Sequence, residues 1–110
     1  MDFTEVLYTR RSVRGYSSEQ IDYDTVKELV RSAQQAPSAC NKQGWRFIFI
    51  DDKNLLQKIR NKGGASFLGD VPNAILVIYD NRTDNLEYMD YIQSASAAIE
   101  NMVLSAHSLG

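Results

Sequence analysis

Arg10, Arg11 and Arg14, with Ser12 among them, place three guanidinium groups and a hydroxyl within five residues of a chain whose formal net charge is −2. A guanidinium presents a planar fork of donors that matches phosphate oxygens bidentately. The cluster is therefore a candidate receptor for a nucleotide or a phosphorylated cofactor. Taken alone, three arginines just after a helix serve more often as a solvated face or as a charge complement to the helix C-terminus. A second stretch shifts the balance. Pro37-Ser38-Ala39-Cys40-Asn41-Lys42-Gln43-Gly44-Trp45 sets a proline, small residues, two amides and a tryptophan between a helix and an apolar strand.

Read together, Arg10-Arg11-Ser12-x-Arg14 and Ala36-Pro37-Ser38-x-x-Asn41-x-Gln43-x-Trp45-x-Phe47 resemble the FMN-dependent nitroreductase family, with both motifs in the family's order. The resemblance runs from about Phe3 to the end of the chain. It implies an α+β, nitroreductase-like fold, with helices packed around a central, mostly antiparallel sheet. A flavin needs charge for its phosphate, a flat apolar slot for its ring, and donors and acceptors at the ring's polar edge. The resemblance assigns Arg10, Arg11, Ser12 and Arg14 to the FMN phosphate, ribityl chain and ring edge. It places Pro37, Ser38, Ala39 and Asn41 where the family's second motif reaches the flavin, often from the other subunit of a homodimer. Ala39 and Cys40 depart from the commoner Ser and Thr, which removes two hydroxyls and leaves backbone contacts.

The implied activity is an oxidoreductase that passes hydride from NAD(P)H through FMN to a small acceptor such as a nitroaromatic or quinone, with no catalytic side-chain nucleophile. Two alternatives stand beside it. One is a family relative with other flavin chemistry, dehalogenation or flavin fragmentation; the other is a non-catalytic flavin-binding fragment held by a partner chain.

The rest of the composition narrows the classes. The 110 residues suffice for one domain, and 44% hydrophobic with 24% charged residues is ordinary for a globular protein. Mild acidity argues against nucleic acid as a partner, since such domains carry a basic stripe. Cys40 is the single cysteine, so no internal disulfide forms, and one cysteine with one histidine makes a poor metal site. No apolar run approaches the roughly 20 residues that span a bilayer, and no signal-peptide pattern opens the chain. The expected location is cytoplasmic, without a membrane partner.

The elements that must carry the two motifs follow from periodicity. Asp2 and Glu5 resemble a capping box ahead of a short helix, about Phe3 to Thr9, with Phe3, Val6 and Leu7 as its apolar positions. Asp22 or Asp24 caps a second helix with Val26, Leu29, Val30 and Ala33 on one face, ended near Ala36 by Pro37. Trp45–Ile50 reads as a strand buried on both faces, with Trp45 a core anchor rather than a partner for the ring. Asp51 or Asp52 caps a helix with Leu55, Leu56 and Ile59 inside, closed by Gly63-Gly64. Residues 65–72 read as loop or short helix, and Ala74 to Tyr79 as a second strand.

The longest periodic run spans about Leu86 to Leu109, with Tyr88, Ile92, Ala95, Ile99, Met102, Val103 and Ala106 on one stripe. It reads as a buried central helix whose small residues, Ser94 to Ala98, admit a close neighbour. Two strands make a marginal sheet unless more is added. Residues 1–110 are accordingly expected to be one incomplete nitroreductase-like flavin-binding domain, completed by missing C-terminal residues, a second subunit, or both.

Overall fold

A computed structural model describes residues 1–82 and 85–110. Within those residues the order is α1 (Phe3–Thr9), α2 (Tyr23–Gln34), β1 (Trp45–Ile50), α3 (Lys53–Asn61), β2 (Ala74–Tyr79) and α4 (Asp90–Leu109), with short 3-10 turns at Ala39–Asn41 and Ser66–Gly69. Each of the first three helices starts on an aspartate whose Oδ1 accepts from the backbone of the first turn. Asp2 takes Glu5 N–H, Asp22 takes Thr25 N–H and Asp52 takes Asn54 N–H, each at 2.9 Å. Backbone donation from Thr25 also holds the Asp22 carboxyl below the ordinary aspartate range.

The end of α3 shows why two glycines follow it. Gly63 adopts φ +101°, and Gly64 and Gly63 donate back to the carbonyls of Ile59 and Arg60, the paired bonds of a Schellman turn.

The strands pair antiparallel from Trp45 opposite Tyr79 to Ile50 opposite Ala74. Because side chains alternate along a strand, this register sorts the sheet into two unlike faces. Trp45, Phe47, Ile75, Val77 and Tyr79 pack on α2 and α4 around Leu29, Ala33, Ala98 and Met102. On the other face Ile50 and Ala74 are covered by Leu56, Ile59, Leu68 and Val71. Beyond that end, Ile48, Leu76 and Ile78 remain 45%, 45% and 44% exposed. The expected burial on both faces therefore holds at one end only. An apolar strand records what it is built to touch, and nothing in the described residues covers the middle of this face.

The same distinction corrects the helices. Phe3, Leu7 and Leu55 are exposed, leaving Val6 and Leu56 as the buried positions of α1 and α3. In α4 the buried stripe is Ser94, Ala98 and Met102, one residue per turn. The expected stripe shares Met102 with it but is centred about a quarter-turn around the helix, and its Ile92 and Ile99 are among the exposed residues. The helix also begins later than Leu86. Leu86–Met89 form a turn, and Met89 enters α4 at φ 55° without a side-chain cap.

The result is a slab of 39 × 39 × 23 Å with a radius of gyration of 15.0 Å, against about 13 Å for a compact domain of this length. Stability should follow the covered positions. Leu56→Ala, at a site with no solvent exposure, is expected to cost about 2–5 kcal/mol in urea unfolding of the 110-residue chain. Ile48→Ala should cost about 1 kcal/mol or less. Equal losses would mean that the open face is covered in solution.

Candidate functional site

The first motif begins where α1 stops. Thr9 Oγ1 hydrogen-bonds His107 Nε2 at 2.8 Å, and Arg10 Nε lies 3.9 Å from Glu100 Oε1, so the end of α1 is tied to α4 at two points. Arg11 turns back on the backbone, its Nη1 donating to the carbonyls of Tyr8 (3.0 Å) and Arg10 (2.7 Å). Arg11 thus does serve the helix C-terminus, as a bland arginine would. Ser12 and Arg14 are exposed, and among the described residues no hydrogen bond or ion pair engages their side chains. The partly exposed Arg10–Glu100 pair, at 3.9 Å, is worth about 1 kcal/mol or less, too little to hold Arg10 against an incoming phosphate.

The second motif is a tightly wound loop. Asn41 N–H donates to Ser38 O (2.9 Å), Lys42 N–H to Ala39 O (3.1 Å) and Gln43 N–H to Ser38 Oγ (2.9 Å). The Asn41 amide oxygen accepts from Gln43 Nε2 at 2.7 Å, which leaves the Asn41 NH2 as its remaining donor. Cys40, Asn41 and Gln43 all take positive φ, at 52°, 55° and 55°. Such left-handed backbone costs non-glycine residues roughly 1–2 kcal/mol each and collects at functional sites. Pro37, Ser38 and Ala39 face Asp90, Gln93, Ser94 and Ala97 across a hollow of about 300 Å³.

Four residues outside the expected set hold this loop in place. Ser94, buried in α4, accepts Ala39 N–H on its Oγ at 3.1 Å and Trp45 Nε1–H on its carbonyl at 2.9 Å. Trp45, as expected, is a core anchor, set edge-on to Tyr79 with ring centroids 6.4 Å apart. Gly44 is required by space, since a Cβ there would lie 2.7 Å from Asp80 O and 2.8 Å from the Tyr79 ring. Asp80 N–H closes the loop's exit on Gly44 O at 2.8 Å. The small-residue run flagged Ser94 only as a close-packing position. Nothing in the local pattern marks the Asp80 contact, which depends on strand register.

Lys42, Arg46 and Arg82 surround Asp80 at this exit. Hydrogen bonds from the Arg82 side chain, with Nε–H to Oδ1 at 2.9 Å, hold the Asp80 carboxyl down at about 2. The two motifs are thus brought onto one helix. Arg10 meets α4 at Glu100 and Ala39 meets it at Ser94, six residues or about 9 Å along the axis. No hydrogen bond or ion pair joins Arg10–Arg14 directly to Pro37–Asn41 among the described residues. Tyr88 is exposed in the turn before α4 and lines none of the hollows just described.

The α+β body thus seats an arginine segment and a wound Pro-Ser loop on one long helix. The model of the nitroreductase family matches residues 7–62. A protein of Archaeoglobus fulgidus, provisionally named NADH dehydrogenase/NAD(P)H nitroreductase, is 38% identical over 109 residues, 96% of this chain and 62% of its own length. The solved FMN-dependent nitroreductase of Clostridium difficile superposes with a TM-score of 0.81 at 34% identity, covering 98% of this chain and 62% of that one. Human iodotyrosine deiodinase 1 is 37% identical over 59 residues, 54% of this chain and 20% of its own length. The chain belongs to the nitroreductase family. It spans less than two thirds of the A. fulgidus and C. difficile proteins.

The lowered Asp80 carboxyl has a consequence in acid. Its contribution to stability is fully present above the unfolded value of 3.8 and is lost as pH falls through about 2. Asp80→Asn should therefore be less stable than the wild type at pH 5, with the difference closing between pH 4 and pH 2. Unfolding midpoints measured across that range check it, and a pH-independent difference would contradict it.

Proposed function

We propose that this chain forms part of an FMN-dependent, NAD(P)H-consuming oxidoreductase, working as a homodimer on a small acceptor such as a nitroaromatic or quinone. The observation that carries the reading is the unengaged Arg14 and Ser12, held beside Arg10 on a segment fixed to the same helix as the Pro37–Asn41 loop. The donor set fits a flavin mononucleotide. Arg10, Arg14 and Ser12 offer charge and a hydroxyl for the phosphate, with the outer nitrogens of Arg11 beside them. Ser38 O–H, the Asn41 NH2 and the hollow formed with Pro37 and Ala39 offer donors and an apolar edge for the ring. When bound, FMN supplies the hydride chemistry. The residues of this chain bind and orient it, and their positive charge favours an anionic reduced state.

The names of the A. fulgidus and C. difficile relatives support this reading. The uncovered apolar faces around Ile48 and Ile92 support a second subunit, further chain, or both as their cover. A second reading is favoured by the similarity to iodotyrosine deiodinase 1, namely the same flavin site applied to reductive dehalogenation. NADH oxidation by the FMN-loaded protein, followed separately with a nitroaromatic and an iodinated phenol, separates the two.

The phosphate assignment is tested by titrating FMN and riboflavin. Arg14→Ala is expected to raise the FMN dissociation constant at least tenfold, the loss of a charge-assisted hydrogen bond of about 1.5–3 kcal/mol, and to leave riboflavin within about twofold. An equal loss for both ligands would remove the phosphate role. A folded wild-type protein that binds no FMN would end the reading altogether.

A further inference from the structure

The loop that carries Pro37–Asn41 is folded mainly by its own bonds. Asn41, Lys42 and Gln43 donate to Ser38 and Ala39, three to five residues back. Such bonds fix the loop's shape and leave its placement on the body open. Three left-handed residues in four positions persist only where surroundings over-determine them. Among the described residues, two hydrogen bonds of the loop's own backbone reach outside it. Asp80 N–H holds Gly44 O at the exit, and Ser94 Oγ accepts Ala39 N–H immediately before the left-handed pair Cys40-Asn41.

We infer that Ser94 is the positioning residue of the candidate flavin site, its hydroxyl setting the Pro37–Asn41 loop against α4 through Ala39 rather than by touching ligand. The inference rests on the reading that this loop meets the flavin. The choice of side chain supports it. Ser94 is only 4% exposed and is the buried polar residue among the described core, on a stripe completed by Ala98 and Met102. Packing at that position needs a small residue, which alanine would supply equally well without burying a hydroxyl. The Trp45 bond uses the backbone carbonyl and is indifferent to the side chain. What only the hydroxyl supplies is the acceptor for Ala39 N–H. The departure from the family's common serine at position 39 does not weaken this tie, since it is made by the backbone.

The test uses Ser94→Ala, a nearly isosteric change that keeps the Trp45 bond, and Ser105→Ala as a control. Ser105 accepts a hydroxyl bond from Ser32 at 2.9 Å on the same helix, three turns away from the loop. In the ligand-free protein, amide exchange at Ala39 should speed up at least tenfold in Ser94→Ala and stay unchanged in Ser105→Ala. An unchanged rate in Ser94→Ala overturns the inference whether or not the protein binds flavin. With ligand, Ser94→Ala should weaken FMN and riboflavin by the same factor, about tenfold, because the loop serves the ring and not the phosphate. Ser105→Ala should leave both affinities within about twofold. Loss of FMN binding in both variants to the same degree, or in neither, also overturns it. Faster exchange at Ala39 in Ser94→Ala, together with a folded wild type that binds no FMN, would overturn the flavin reading and with it the positioning role, leaving only the Ser94–Ala39 tie.

Discussion

Where α4 crosses the sheet, Ala98 has no solvent exposure and Ser94 next to nothing, so the helix backbone lies close to Trp45, Phe47 and Val77. A larger side chain at either position would push the helix away by more than the Trp45–Ser94 bond of 2.9 Å tolerates. The other side of the same contact is polar. Asn101 Nδ2 donates to Ser32 O and Ser32 Oγ to Ser105 Oγ, which fixes α4 against α2 in rotation as well as distance. Everything proposed for the site depends on this seating, because Glu100 and Ser94 are the points at which the two motif segments touch the helix.

The seating also explains why a conformationally costly loop is tolerated. Trp45 starts β1, Gly44 must lie against Asp80 and Tyr79, and Ala36 is buried at the end of α2. With both ends held, the residues between have few backbone solutions, and left-handed Cys40, Asn41 and Gln43 belong to the one observed. Asn is among the residues that adopt this region most readily, whereas Cys and Gln are not. The strain is imposed by the frame and is not a local preference.

Element existence and element ends were legible in the sequence because their causes are local. Both strands and α1 fall where aromatic and β-branched content, helical periodicity and the cap at Asp2 put them, and Asp22, Asp52 and Gly63-Gly64 act as the terminators their chemistry suggests. What local pattern could not rank is which of two apolar faces finds a cover. In α4, Ile92 and Ile99 form as good a stripe as Ser94 and Ala98, with Met102 common to both, and only the sheet decides between them. The start of α4 was misplaced for a related reason. Leu86 to Met89 carry helical periodicity, yet Tyr88 N–H and Met89 N–H close separate short turns on Asn85 and Leu86. Type and order single out the two motif segments but not the contacts their residues make. Arg11's partial use as a helix cap and Ser94's grip on Ala39 depend on tertiary placement that no spacing encodes.

The open apolar faces and the unengaged arginine bear on one another. In water Arg14 without a partner costs little, and the Arg10–Glu100 pair contributes little. Once a further surface covers the region, water withdraws, the local dielectric falls, and an uncompensated guanidinium becomes expensive. An anion between the arginines removes that penalty. On the proposed reading, in which a flavin phosphate lies between the arginines, covering the apolar faces and binding that phosphate favour one another, so that a ligand binding only the covered state stabilises it by mass action. A site of this kind need not be fully formed in an isolated chain. Its cations stay solvated, its loop is already shaped by Ser94 and Asp80, and the missing term is the exclusion of water.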